Sequence, residues 1–100
     1  MNISITSRKF KARDSLKDFV NSEVISLERF YDDILSADII LSYQNTSNSI
    51  KSAEIILKIP GMILKAAEDS DDYKKSISSA VEKLSRQLKK IKTKKYAHAR

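Results

Sequence analysis

The chain has no cysteine, one histidine, one glycine and one proline among its 100 residues. Without cysteine it can form neither a disulfide nor a thiolate metal site. Its only glycine, Gly61, directly follows its only proline, which excludes a glycine-rich phosphate-binding loop. The lone His98 has no acidic residue near it in the sequence, and the acidic pairs elsewhere lack a histidine partner. We therefore predict no enzymatic activity, no metal and no cofactor.

Long hydrophobic runs are also missing. No apolar stretch approaches the roughly 20 residues of a membrane span, and the first residues lack the basic start and apolar core of a secretion signal. At 41% hydrophobic residues, the chain can build one modest core. We expect a cytoplasmic protein without a membrane segment, with a single domain over residues 1–95 and a short flexible tail at residues 96–100.

Acidic residues are absent from the C-terminal segment. Residues 83–100 hold eight Lys or Arg and no Asp or Glu, so they supply a charge of +8. All 13 acids lie in residues 1–82, where 11 basic residues leave a net charge of −2. A Lys-rich helix end also stabilises the helix dipole and aids solubility. Because a solvated surface usually mixes both signs, the segment favours a polyanionic partner, with nucleic acid as the leading candidate.

Two hydrophobic periods alternate along the chain. Residues 2–7 alternate apolar with polar side chains, which indicates a half-buried strand. A helix follows, in which Asp14 is the expected N-cap and apolar residues recur at helical spacing as far as Ile34. Glu23 falls inside that apolar stripe, and periodicity does not explain it.

Strand patterns return at residues 37–43 and 53–59, and Pro60-Gly61 forms a turn into a fourth strand at residues 62–68. The buried face of that strand stays open, since Leu64 and Ala66 compete with Ile63 and Ala67. An acidic stretch at residues 68–72 is expected to open the last helix. The predicted fold is α+β in the order β-α-β-β-β-α, with both helices on one face of a four-stranded sheet.

The last helix carries a basic face beside its apolar stripe. At about 100° per residue, four cations fall within an arc of about 80° that packing does not need, and one amide lies at its edge. The cations are Lys83, Arg86, Lys90 and Lys94, and the amide is Gln87. We expect this face to contact several phosphates of a nucleic acid.

The same helix holds a specific motif. It contains Asp71-Asp72-Tyr73-x-x-x-Ile77 and then Glu82-Lys83-Leu84-Ser85-Arg86-Gln87-Leu88-x-Lys90-x-Lys92-x-Lys94. This resembles the ribosome hibernation-promoting factor family, which includes the ribosome-associated inhibitor and was formerly named sigma-54 modulation protein. That family's helix reads D-x-Y-x-A-I-D and then D/E-K-L-x-R-Q-L-x-K-x-K. Ile5-Thr6-x-Arg8, residues 16–20 and Ala53-Glu54-Ile55 match its first strand, first helix and hairpin.

The resemblance implies a fold related to double-stranded-RNA-binding domains and a protein that binds the small ribosomal subunit. There it would occupy the channel of the mRNA and the A- and P-site tRNAs, and so stop translation and store the ribosome. It implies, by position, ribosomal RNA contacts from Lys83, Arg86, Gln87, Lys90, Lys92 and Lys94, with Arg8 as a further contact. It implies no small-molecule substrate. Because long members add a dimerisation domain, a chain of this length is expected to be the short form, without that domain.

Four positions depart from the family pattern. Ser7 replaces a usual glycine, and Arg13 replaces the threonine that would cap the first helix. Glu23 stands where a lysine is common, and Ser78 stands where an aspartate is common. None of these lies on the basic face.

Two other classes of function remain open from the residues. One is a general binder of double-stranded RNA or DNA that recognises shape and phosphate. The other is a regulator that binds an acidic protein. A preference for intact small ribosomal subunits over free duplex nucleic acid would distinguish the ribosomal hypothesis from both of these alternatives.

Overall fold

The protein consists of one four-stranded sheet with two helices on one of its faces. A computed structural model describes the backbone of residues 1–44 and 49–98, and the side chains of these residues as far as Lys92. The elements are β1 (Asn2–Ser7), α1 (Asp14–Ile25), a short 3-10 helix (Ser26–Arg29), β2 (Ser36–Gln44), β3 (Ile50–Ile59), β4 (Met62–Ser70) and α2 (Tyr73–His98). The predicted α+β class and β-α-β-β-β-α order are confirmed.

The strands lie in the order β1-β2-β3-β4. β1 is parallel to β2, because α1 carries the chain back across the sheet between them. The other two pairs are antiparallel and sequential. Ile5, Ile39, Ile55 and Ala66 are successive partners across the four strands. This register gives the sheet one continuous apolar row beneath the helices.

The core lies between that face of the sheet and the two helices. Alternate residues of β2 and β3 supply its floor, and the helical stripe of α2 covers it. The fully buried large side chains are Val20, Val24, Leu27, Ile39, Leu41, Ile55, Leu57, Ile77, Leu84 and Leu88. These side chains fix the apolar stripe of α2 in the core, so its opposite side faces away from the sheet.

The structure resolves the open question about β4. Leu64 and Ala66 are buried beneath α2, whereas Ile63 is 58% exposed on the other face of the sheet. The residues on each face of β4 include apolar side chains, so the sequence pattern alone did not show which face is buried. Pairing with β3, in which Leu57 opposes Leu64, fixes the register.

The first helix differs from the prediction at both ends. Its N-cap position is Arg13, which makes no side-chain capping hydrogen bond, and Asp14 lies inside the first turn. The predicted capping by Asp14 is therefore wrong, although its carboxylate still lies at the positive end of the helix dipole. The α-helix stops at Ile25, where the Ser26 hydroxyl donates to the Glu23 carbonyl. The apolar pattern continues as far as Ile34 because the 3-10 helix and the following segment pack on the same core.

The acidic stretch does not open α2 as predicted. Residues 68–70 complete β4, and α2 begins at Tyr73. Only Asp72 acts at the helix start, where its carboxylate accepts from the Lys74 N–H at 3.0 Å. The strand extends further than expected because residues 68–70 pair with β3.

The backbone of α2 is helical to His98. Of the flexible tail predicted at residues 96–100, the side chains and the last two residues lie outside the part that the structure describes. No helix among the described residues is both long enough and apolar enough to span a membrane.

Candidate nucleic-acid interface

One flank of α2 carries four of the predicted contact residues, namely Lys83, Arg86, Gln87 and Lys90. Arg86 and Gln87 lie three and four residues after Lys83, and Lys90 lies four and three residues after them, so all four share one side of the helix. Contacts from this side reach β4, the edge strand of the sheet. From Lys83 to Lys90 the flank extends about 10 Å along the helix axis. We call these four residues the α2 basic flank.

Two members of the α2 basic flank are attached to β4. The Lys83 ammonium lies 2.8 Å from the Glu68 carboxylate. The Gln87 side-chain amide donates to the Lys65 carbonyl at 3.4 Å, a long hydrogen bond. Gln87 is half-buried, so its amide is largely taken up by the sheet. These contacts hold the middle of α2 against the edge of the sheet.

The other two members point away from the sheet. Arg86 pairs with Glu82, one turn earlier in α2, and both side chains are 64% exposed. Lys90 is exposed and has no ion pair or hydrogen bond with any residue that the structure describes. Exposed pairs of this kind contribute little stability and exchange readily, so the Arg86 guanidinium remains available to a phosphate.

Sequence reasoning missed the acids of this flank. Glu68 and Glu82 each neutralise one of its cations. Glu82 stands four residues before Arg86, a spacing that signals a helical pair. Glu68 lies on another element, and only the register of β4 under α2 brings it to Lys83.

The remaining predicted contacts of α2 do not join this flank within the described residues. Lys92 is nine residues beyond Lys83, which at about 100° per residue places it on the opposite side of the helix. It is half-buried and has an interaction of its own, so it is not a free cation. The side chain of Lys94 lies outside the part of the chain that is described, as does that of His98.

Arg8 lies far from the α2 basic flank. It follows β1, which forms the edge of the sheet opposite β4. Three strand spacings of about 4.8 Å separate these edges. The Arg8 backbone N–H donates to the Leu41 carbonyl at 2.9 Å, at the end of the sheet where α2 begins. Arg8 and its exposed basic neighbours Lys9, Lys11 and Arg13 therefore form a surface separate from the α2 basic flank.

Aromatic side chains can stack on nucleic-acid bases, but Phe30 and Tyr31 belong to the core region. Phe30 and Tyr31 are half-buried and pack against the buried cluster. The Lys89 ammonium lies 4.7 Å from the centre of the Phe30 ring, a cation–π contact that ties α2 to the segment after the 3-10 helix. Among the described residues no group of three or more His, Cys, Asp or Glu side chains is placed to hold a metal ion.

Comparison with known protein sequences finds relatives that are named ribosome hibernation factors. The chain is 28% identical over 94 residues to the ribosome hibernation promotion factor of Bacillus subtilis, which covers 94% of this chain and 50% of that protein. It is 30% identical over 94 residues to the ribosome hibernation promoting factor of Azotobacter vinelandii, covering 94% of this chain and 85% of that protein. The chain spans about half the length of several of its relatives, including that from Deinococcus radiodurans, of which it covers 48%.

Solved structures agree with the sequence comparison. The N-terminal domain of Protein Y from Thermus thermophilus superimposes with a TM-score of 0.82 at 29% identity, over 91% of this chain and 99% of that one. A ribosomal subunit interface protein from Coxiella burnetii gives a TM-score of 0.84 at 25% identity, over 93% and 99% of the two chains. The family described as sigma 54 modulation protein / S30EA ribosomal protein matches residues 3–96. The chain belongs to this family.

Proposed function

We propose that this protein binds the small ribosomal subunit through the α2 basic flank and inhibits translation. In this proposal it occupies the channel of the mRNA and of the A- and P-site tRNAs, and it holds the ribosome in an inactive, stored state. Its relatives in Bacillus subtilis and Azotobacter vinelandii are named ribosome hibernation factors. The role is one of binding rather than catalysis, and its place is the cytoplasm, where ribosomes are.

The observation that carries this proposal is the pair Arg86 and Lys90. Both side chains are exposed, both lie off the buried stripe of α2, and they are one helical turn apart. Arginine can grip phosphate oxygens with two parallel hydrogen bonds, and lysine adds a mobile point charge. Lys83 extends the same row toward the middle of the helix. The row suits the backbone of a folded RNA better than a small anionic ligand, since it has no enclosing walls.

The charge distribution supports a long polyanion. Residues 83–100 contain eight cations and no acids, so the cationic character continues along the helix beyond Lys90. A protein that neutralises several phosphates gains most of its affinity from released counterions. We assign Lys92, Lys94 and Arg8 to this interface only as further proposed contacts, because Lys92 lies across the helix and Arg8 at the far edge of the sheet.

The test is cosedimentation in sucrose gradients with purified bacterial 30S subunits, 50S subunits and whole ribosomes. A tenfold mass excess of free duplex RNA is added as competitor in a parallel set. We expect comigration with 30S subunits and whole ribosomes that persists in the presence of the duplex, together with reduced binding of P-site tRNA.

Two other outcomes would reject the proposal. Comigration that free duplex RNA abolishes would reduce the protein to a general binder of double-stranded nucleic acid. Absence of comigration together with absence of duplex binding would favour the third class, a regulator that binds an acidic protein.

A further inference from the structure

A pocket of about 400 Å³ opens at the start of α2, far from the α2 basic flank. It lies between the segment that joins β1 to α1, the first turn of α1 and the beginning of β3. Its lining residues are Phe10, Lys11, Arg13, Ser15, Leu16, Lys51 and Tyr73. From Tyr73 to Lys83, the nearest residue of the α2 basic flank, the axis of α2 rises about 15 Å. The pocket is therefore separate from the α2 basic flank, and only Arg8 among the proposed ribosomal contacts lies near it in the sequence.

One side of the pocket is a fixed aromatic wall. The Phe10 and Tyr73 rings stack with their centres 4.9 Å apart and their planes inclined by 14°. The Tyr73 hydroxyl donates to the Ser42 carbonyl at 3.0 Å, which anchors this wall to β2. Burial is the main cause that raises the pKa of Tyr73 above its ordinary value, so the hydroxyl remains a donor at neutral pH. Leu16 adds further apolar surface.

The other side of the pocket is cationic. Three of the seven lining residues, Lys11, Arg13 and Lys51, are basic, and none is acidic. Lys11 and Arg13 are exposed, and neither side chain has an ion pair or hydrogen bond with a described residue. Two unpaired cations at one rim leave a local positive charge that an anion would neutralise.

The Lys51 side chain is held in place by a hydrogen bond to the backbone and not by an ion pair. Its ammonium donates to the backbone carbonyl of Asp71 at 3.2 Å. The Asp71 carboxylate pairs instead with Lys75, also at 3.2 Å, and this contact is the main cause that lowers its pKa. The ammonium of Lys51 is thus held at the pocket by a backbone hydrogen bond, and it forms no ion pair with the Asp71 carboxylate, which it influences only weakly.

We propose that this pocket binds a nucleoside phosphate, with the base against the Phe10–Tyr73 wall and the phosphate on Lys11, Arg13 and Lys51. Its volume lies within the range of small-molecule sites, which begins at about 300 Å³. Aromatic side chains can stack on any of the nucleobases, and the arginine and the two lysines supply contacts to the phosphate. The same chemistry is offered by a free mononucleotide and by one nucleotide of an RNA strand.

The experiment follows backbone amide signals of the full-length, isotope-labelled protein by NMR during titration with 5′-AMP at low salt. We expect shifts confined to the pocket residues and their neighbours. Adenosine alone and inorganic phosphate alone should each bind at least about tenfold more weakly, because each supplies only half of the contacts. The variant Arg13→Gln with Lys51→Gln should weaken 5′-AMP binding at least tenfold. Lys58→Gln with Lys65→Gln, on the opposite face of the sheet, is the matched control and should leave binding unchanged.

A second titration uses an RNA strand of five adenylates. It distinguishes a site for a free nucleotide from a site for one nucleotide of an RNA strand. Binding of 5′-AMP that depends on Arg13 and Lys51 supports a site for free nucleotides. Pocket shifts with the pentanucleotide alone, lost in the same double variant, support a site for a nucleotide of an RNA strand. Absence of pocket shifts with both probes would overturn the proposal, as would equal affinity of the wild type and the double variant in a sample that remains folded by its own amide spectrum.

This experiment is independent of the ribosomal proposal. Charge reversal at Arg86 and Lys90 alters two cations of the α2 basic flank and should leave 5′-AMP binding unchanged. Failure of ribosome binding and failure of nucleotide binding are therefore scored in different variants with different readouts.

Discussion

The Ser78 hydroxyl of α2 donates to the Glu23 carboxylate of α1 at 2.9 Å. This bond accounts for the acid inside the apolar stripe of α1, since Glu23 is half-buried and faces the other helix. Both residues depart from the family pattern, in which a lysine and an aspartate are common at these positions. The two departures are thus spatial neighbours, and in this chain a charge-assisted hydrogen bond joins them.

We predict that Glu23 and Ser78 are energetically coupled. In a double-mutant cycle of Glu23→Gln and Ser78→Ala, urea unfolding should give a coupling free energy of about 0.5–1 kcal/mol, the usual net value of one partly exposed hydrogen bond. The swap Glu23→Lys with Ser78→Asp should restore most of the stability lost in either single substitution. Strictly additive single substitutions would show that the bond contributes nothing in solution.

Ser76 is the only polar residue that is fully buried among those described, and it joins three elements. Its hydroxyl donates to the Lys51 carbonyl of β3 at 2.8 Å and lies 2.7 Å from the Ser70 hydroxyl of β4. Removing the Ser76 hydroxyl leaves the part-buried Lys51 carbonyl with one fewer donor, so Ser76→Ala should lower the free energy of unfolding by about 1–2 kcal/mol.

The matched control for Ser76 is Ser79→Ala, an exposed position on the same helix. Both substitutions gain the same helix propensity of alanine, so their difference isolates the buried contacts. We expect Ser79→Ala to change stability by less than about 0.5 kcal/mol. Equal stability of the two variants would contradict the assigned role of Ser76.

Much of the fold can be predicted from hydrophobic periods, because the strands of this sheet bury one face and α2 buries one stripe. The site is less predictable. The row from Lys83 to Lys90 follows from helical spacing alone, but the pairing of Lys83 with Glu68 depends on how α2 lies over β4. The separation of Arg8 from the α2 basic flank depends on strand order, which no local pattern encodes. The face of β4 stayed ambiguous because both of its alternations hold apolar residues.

The acids of the α2 basic flank should limit its affinity for RNA. Glu82 occupies the Arg86 guanidinium in the free protein, so an incoming phosphate must displace it. We predict that Glu82→Gln strengthens binding to 30S subunits by about two- to fivefold at low salt, which corresponds to the small free energy of an exposed ion pair. Glu54→Gln, on the face of the sheet away from α2, removes the same charge and should have less effect. Weaker binding of Glu82→Gln would show that this acid supports the interface instead.

Ribosome binding should depend steeply on salt. If Lys83, Arg86 and Lys90 each neutralise one phosphate, the logarithm of the association constant should fall with the logarithm of salt concentration at a slope of about −2 to −3. Between 50 and 200 mM salt the affinity should then fall roughly 15- to 65-fold. Binding to fluorescently labelled 30S subunits can be followed by anisotropy across this range. A flat response would favour an apolar contact with a protein partner.

The most direct measurement compares two charge-reversed variants for cosedimentation with 30S subunits. Arg86→Glu with Lys90→Glu reverses the exposed part of the α2 basic flank without touching the Lys83–Glu68 contact. Lys58→Glu with Lys65→Glu changes the net charge equally on exposed positions of the sheet face away from α2. Urea unfolding should place both variants within about 1 kcal/mol of the wild type, because exposed substitutions perturb stability little.

We predict that the α2 variant no longer comigrates with 30S subunits, whereas the control variant comigrates as the wild type does. Comigration of a folded α2 variant at the wild-type level would contradict the central claim that this flank is the ribosomal interface.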